Sequence, residues 1–193
     1  ANRMFIYRTD IFEEAGVQVP TTWEELKEIS RKLLVKEGNR VVRYPTSLPT
    51  NGIDLQQSWT PYLWANGGDL FNEDFTAATL TTQEAKEALE FYKSFFDEGL
   101  VPLEGVTGQG DQHPLGTGEI AFIVDGVFIL ESIKNYTPDA YDKLAIAPPP
   151  AGRGEPTTLV GSAGIFMNAA SKHKDEAWEL LSFIGNKENA GKI

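Results

Sequence analysis

Tyr7-Arg8-Thr9-Asp10-Ile11-Phe12-Glu13-Glu14-Ala15-Gly16, followed four positions later by Pro20-Thr21-Thr22-Trp23-Glu24-Glu25-Leu26, holds three local structures in one short span. The apolar run Met4-Phe5-Ile6-Tyr7 leads into it and reads as a short buried strand. Asp10 to Glu14 reads as a brief helix stopped by Gly16, and Val17 to Pro20 as a linker. Thr22 and Glu25 then form a capping box, with threonine as N-cap and glutamate three residues on, ahead of a helix with Trp23, Leu26, Ile29 (or Ser30) and Leu33 on one face. Gly38-Asn39 is expected to end that helix.

Further along, strands continue to alternate with helices. Val41 to Tyr44 reads as a strand and Asp54 to Asn66 as a helix with Leu55, Trp59, Tyr62 and Leu63 on one stripe, closed by Gly67-Gly68. Leu70-Phe71 is a short extended piece. Thr81 and Glu84 suggest a second capping box, opening a helix with Ala85, Leu89, Tyr92 and Phe96 inward and Gly99 as its stop. Residues 104–118 carry glycines at 105, 108, 110, 116 and 118 and read as a loop. Ile120 to Val124 is a buried strand, Asp125-Gly126 a turn, Val127 to Lys134 a helix and Lys143 to Ala147 another strand. Pro148-Pro149-Pro150 and Ala151-Gly152-Arg153-Gly154 form a stiff, then flexible, connector, the best boundary candidate. Thr157 to Asn168 is extended, and Ser171 caps a last helix with Ala177, Trp178, Leu181 and Ile184 inward. The alternation argues for an α/β fold.

The totals narrow the function. A chain of 193 residues, 41% apolar and 23% charged, is long enough to bury roughly 70% of its unfolded surface. The net charge of −11 repels phosphate backbones and anionic lipid, so no nucleic-acid partner is expected. No apolar run is long enough to span a bilayer, and without cysteine there is no disulfide or thiolate chemistry. His113 and His173, the two histidines, are too few for a zinc site. Gly105 to Gly110 has the wrong order for a dinucleotide loop, and Gly161-Ser162-Ala163-Gly164 lacks the spacing of a nucleophile elbow. Neighbouring carboxylates such as Glu13-Glu14 and Glu24-Glu25 read as solvated helix faces rather than as an acid–base pair. The expectation is therefore no catalytic residue, no metal and no cofactor.

The opening block resembles the family 1 extracellular solute-binding proteins of ABC importers, at the segment where the chain first crosses into the second lobe. Three more blocks match in order: Trp64-Ala65-Asn66-Gly67-Gly68-Asp69-Leu70-Phe71; Gly116 to Phe122 with Asp125-Gly126; and Gly161-Ser162-Ala163-Gly164-Ile165 with Asn168-Ala169-Ala170-Ser171 and Glu176-Ala177-Trp178. Phe128 departs from the family pattern, in which tryptophan is common. The resemblance implies a periplasmic binding protein type II-like fold, mainly its second lobe with part of the first. Residues 1–7 would be a first-lobe strand and hinge, 8–155 the second lobe, and 156–193 the return crossing and a first-lobe helix. The chain is accordingly read as a fragment.

The resemblance also implies a maltose/maltodextrin-binding-like function: capture of a sugar or oligosaccharide between two lobes and delivery to transmembrane permease subunits. It implies a periplasmic or extracellular place, with the membrane reached through a lipid anchor outside this chain. Implied ligand contacts are Gln57, Trp59, Asp125, Phe128, Gly161 and Ser162, with Tyr7 near the hinge. Each has a plainer alternative: Trp59 as core, Asp125 as a helix cap, Gly161 and Ser162 as hinge geometry. Trp64 packs on the Gly-Gly turn or reaches ligand, and Trp23 and Trp178 are expected in the core. Competing ligands are a polyamine, a small anion or a metal chelate, and the competing class is a carbohydrate-active enzyme.

Overall fold

The computed structural model describes residues 2–103, 113–161 and 164–191. It forms two compact units, Ala1–Val160 and Gly161–Ile193. The first is built on a three-stranded sheet: β1 (Arg3–Arg8) lies between β4 (Phe122–Gly126) and β5 (Leu144–Ala147), antiparallel to both. β1 alternates its side chains between two faces. Phe5 and Tyr7, opposite Val124 and Phe122, belong to a large core with α1 (Thr9–Ala15), α2 (Trp23–Leu33), α3 (Gly52–Ala65) and α4 (Gln83–Asp97). Ile6, opposite Ile123, belongs to a smaller core with α5 (Pro114–Thr117), α6 (Phe128–Tyr136) and α7 (Pro138–Tyr141). Helices thus cover both faces of the sheet. Fully buried side chains such as Phe5, Phe122, Leu26 and Ile133 each contribute roughly 1.5–3 kcal/mol of burial.

The boundary expected after Tyr7 falls inside β1, where Tyr7 pairs with both Phe122 and Ala145. The division by contacts falls after Val160 rather than after Glu155.

The capping box is present in full: Thr22 Oγ1 accepts from Glu25 N and the Glu25 carboxylate accepts from Thr22 N. Other expectations need correction. Gly38-Asn39 does not end α2; it turns a small hairpin between β2 (Val35–Glu37) and β3 (Arg40–Arg43), with Gly38 at φ 61°. A Gly-Asn pair suits a two-residue hairpin better than a helix stop, because the turn needs positive φ. The cap of α4 is Thr82, not Thr81; it accepts from Ala85 N and so turns Ala85, Ala88, Tyr92 and Phe95 inward, leaving Leu89 exposed. Within the expected 104–118 loop, 104–112 lie outside the described residues and 114–117 form α5.

The connector is held rather than flexible. Ala151 exchanges backbone hydrogen bonds with Thr21 and Trp23, and the N–H groups of Gly152 and Gly154 both donate to Ala65 O. Buried Asn66 accepts from Arg153 N and donates to Glu84 O and Glu87. The segment behaves as a strap across the end of α3, a role its Pro/Gly composition does not announce.

The second unit holds α8 (Lys174–Gly185) and α9 (Lys187–Ala190). Trp178 is 64% exposed and α8 has no buried residue, so the expected inward stripe is not formed. The helix pattern is amphipathic, but a stripe is buried only when another layer meets it. Ser171 does not cap α8; its hydroxyl accepts from His173 N one turn ahead of the helix.

Candidate functional site at one end of the sheet

The amino end of β1 and the carboxyl ends of β4 and β5 lie together, because β4 and β5 both run antiparallel to β1. Carboxyl ends of strands are where open α/β sheets place ligands. Four polar or aromatic side chains converge there. Arg3 opens β1, and its guanidinium forks between two elements: Nη1 donates to Asp125 Oδ1 on β4 at 2.9 Å and Nη2 to Gln57 Oε1 on α3 at 2.8 Å. Asp125 Oδ1 also accepts from Gly126 N at 2.6 Å. Phe128 follows at the start of α6. Its ring lies directly on Gly126, where a Cβ would come within 2.2 Å of Cε1, so glycine is needed for the close approach. Phe128 is 63% exposed.

Beside this cluster lies a shallow open hollow lined by Pro61, Tyr62, Val124, Pro149, Pro150 and Thr157. Val124 adjoins Asp125, and Thr157 adjoins Thr158. Burial pushes the Tyr62 phenol well above its ordinary value, so it stays neutral. Burial does the same to Tyr92, whose hydroxyl donates to Pro49 O.

The chain passes this end of the sheet twice. Arg3 N donates to Leu159 O, Thr158 Oγ1 donates to Arg3 O, and Asn2 bridges antiparallel to Val160. Val127 N donates to Asn2 O at 3.3 Å, tying α6 to the same strand.

Of the residues singled out from sequence, Gln57, Asp125 and Phe128 are brought together. Asp125 does not cap α6: the N-cap position is Val127 and no side chain bonds there. Trp59 packs partly buried against the larger core, with its indole N–H buried and without a partner among the described residues. Tyr7 is not at this end; it lies four residues along β1, about 13 Å at strand rise, and packs on Phe5 and Phe12. Gly161 is exposed just past the Asn2–Val160 bridge, and Ser162 lies outside the described residues. Trp64 packs on the turn, its indole N–H donating to Asp69 at 3.0 Å. Arg3 was missed. Its partner Asp125 is 122 positions away, and only the β1–β4 register brings them together.

The sequence profile described as bacterial extracellular solute-binding protein matches residues 1–191. The chain belongs to that family. A binding protein of Brucella abortus (strain 2308) is 31% identical over 194 residues, covering 96% of this chain and 45% of its own length. The arabinooligosaccharide-binding protein of Bacillus subtilis (strain 168) is 23% identical, covering 98% of this chain and 43% of its own. In structure, the chain is similar to an ABC transporter solute-binding protein of Thermotoga lettingae TMO bound with α-D-tagatose. The TM-score is 0.84 at 23% identity, over 99% of this chain and 49% of that one. The α/β fold is thus that of the type II periplasmic binding proteins, and the chain spans about half the length of the relatives it matches.

Proposed function

We propose that the whole protein captures a sugar or oligosaccharide in a cleft between two lobes and delivers it to the permease subunits of an ABC importer. This chain supplies one cleft wall and both crossings. The carrying observation is the juxtaposition at the end of the sheet: an exposed ring, Phe128, beside the fixed polar groups of Gln57 and Asp125. Sugars are recognised by aromatic faces under their rings and by oriented polar groups on their hydroxyls. The tagatose-bound and arabinooligosaccharide-binding relatives support a neutral carbohydrate as ligand.

The paired segments Asn2–Arg3 and Thr158–Val160 serve as the hinge in this reading. Closure is driven by a ligand that contacts both walls in the closed state and one in the open state. The protein works outside the cytoplasmic membrane, held near the permease by a lipid anchor beyond this chain. It binds without turnover.

The test is calorimetry of the full-length protein and of this 193-residue chain against a panel of neutral mono- and oligosaccharides. Saturable binding to the full-length protein and much weaker binding to the chain alone are expected. Equal affinity for both would refute the two-wall clamp, and steady hydrolysis of a chromogenic glycoside would refute binding without catalysis.

A further inference from the structure

We propose that Arg3 is the charge-specificity residue of this site. It cancels the Asp125 carboxylate and so reserves the site for an uncharged polyol against a cationic amine. The inference rests on the cleft reading above.

A carboxylate next to an exposed aromatic ring is otherwise the chemistry of an ammonium site, since both attract a cation. Asp125 is within reach, with its side chain 24% exposed, and the chain's net charge of −11 would draw a polyamine toward it. Arg3 opposes this. Its guanidinium sits 2.9 Å from Asp125 Oδ1. It engages Gln57 Oε1 as well, which leaves the Gln57 amide N–H₂ to donate and Asp125 Oδ2 to accept. A donor and an acceptor of no net charge suit hydroxyl groups.

The side chain is not required to hold the crossing strand. The backbone at Asn2 and Arg3 is already bonded to Leu159, Thr158, Val127 and Val160. Holding the crossing is therefore not what the fork is for. Its two arms reach side chains on different elements, α3 and β4, and that planar geometry is one that lysine cannot reproduce.

The test uses the full-length protein as wild type, Arg3→Met, Arg3→Lys and the double variant Arg3→Met/Asp125→Asn. D-tagatose, maltose and spermidine are the probes, followed by thermal shift and calorimetry at low and high salt. Wild type is expected to bind a neutral probe and to ignore spermidine. Arg3→Met loses about tenfold or more in neutral affinity, the scale of one charge-assisted hydrogen bond, and gains salt-sensitive spermidine binding. The double variant loses that gain, and Arg3→Lys still excludes spermidine. Spermidine binding by wild type overturns the assignment, as does an Arg3→Met variant that gains none. Should Arg3→Met not fold, Arg3→Gln carries the same expectations. If no neutral probe binds wild type, the proposed function fails for those sugars. The spermidine arm then still decides the role of Arg3.

Discussion

Gly126→Ala separates binding from stability at the candidate site. The substitution places a Cβ 2.2 Å from Phe128 Cε1, 2.5 Å from Cδ1 and 3.3 Å from Cζ. Carbon atoms in contact sit about 3.5–4.0 Å apart, so the ring must move by more than about 1 Å. It can do so cheaply: Phe128 is 63% exposed and the ring's retreat is into solvent. A displaced rotamer costs about 0.5–1.5 kcal/mol. Replacing glycine at a position without positive φ returns about 0.4–1 kcal/mol through the unfolded chain. The two nearly cancel, so global stability should change by less than about 1 kcal/mol. Affinity should not be spared, because the ring no longer lies on the strand end beside Asp125. An aromatic contact is worth about 0.5–1.5 kcal/mol beyond area, so a loss of about threefold to tenfold is expected, matched by Phe128→Ala.

Gly152→Ala is the control. Its Cβ would lie 2.8 Å from Asn66 Oδ1 and 3.0 Å from two atoms of Trp23, whose ring is stacked on Phe91 at 4.4 Å. Neither buried neighbour can retreat, so about 1–3 kcal/mol of stability should be lost with ligand affinity nearly unchanged. Thermal unfolding and calorimetry on the full-length protein read both quantities. If Gly126→Ala lowers stability as much as Gly152→Ala, or binds as wild type while Phe128→Ala does not, the ring is not a platform seated on Gly126.

Two further predictions concern titration. His113 Nδ1 accepts from Leu115 N and so caps α5, while burial pushes its pKa below the ordinary 6.5 against an opposing pull from Asp125. Its contribution is therefore complete above about pH 6.5 and lost as pH falls through the lowered value. His113→Asn keeps a capping acceptor and should flatten this acid limb in denaturant titrations between about pH 7 and 5; an unaltered limb would sink the assignment. Lys27 is buried between α2 and α4, over the Phe95 ring at 4.1 Å, and burial lowers its pKa from 10.5 despite Glu98. Stability should rise as pH climbs from that lowered value toward 10.5. Lys27→Met should abolish the rise and leave stability at pH 7 unchanged or higher, because Arg31 still pairs with Glu98 and Ser94 still donates to Phe91 O. A loss above about 2 kcal/mol at pH 7 would show the lysine to be a net stabiliser.

Local rules carried the sequence reading where the deciding groups are neighbours. The Thr22–Glu25 box, the Gly16 stop at φ 63° and the β1 core residues follow from patterns a few residues wide. The α4 cap slipped by one because Thr81 and Thr82 are both competent, and only the packing of Ala85, Ala88, Tyr92 and Phe95 chooses between them. The strap at 151–154 was illegible because its anchors, Thr21, Trp23, Ala65 and Asn66, lie far away in sequence. The site divided the same way. Gln57, Asp125 and Phe128 were implied by the family resemblance, but the group that relates them, Arg3, was not.

That omission changes what Asp125 means. From sequence it was a ligand contact or a helix cap, and both readings treat it as an independent acceptor. In the folded chain it shares a guanidinium with Gln57, and that guanidinium stands on the residue whose backbone bonds to Thr158 and Leu159. Any rearrangement that shifts Asn2–Arg3 against Thr158–Val160 must therefore move the base of the fork that orients both polar groups. In a clamp built this way, the ligand-facing acceptor and donor are set by the same backbone that would bend on closure. Affinity and closure are then coupled through Arg3 without a longer path, and its replacement should alter which ligands close the cleft as well as how tightly they bind.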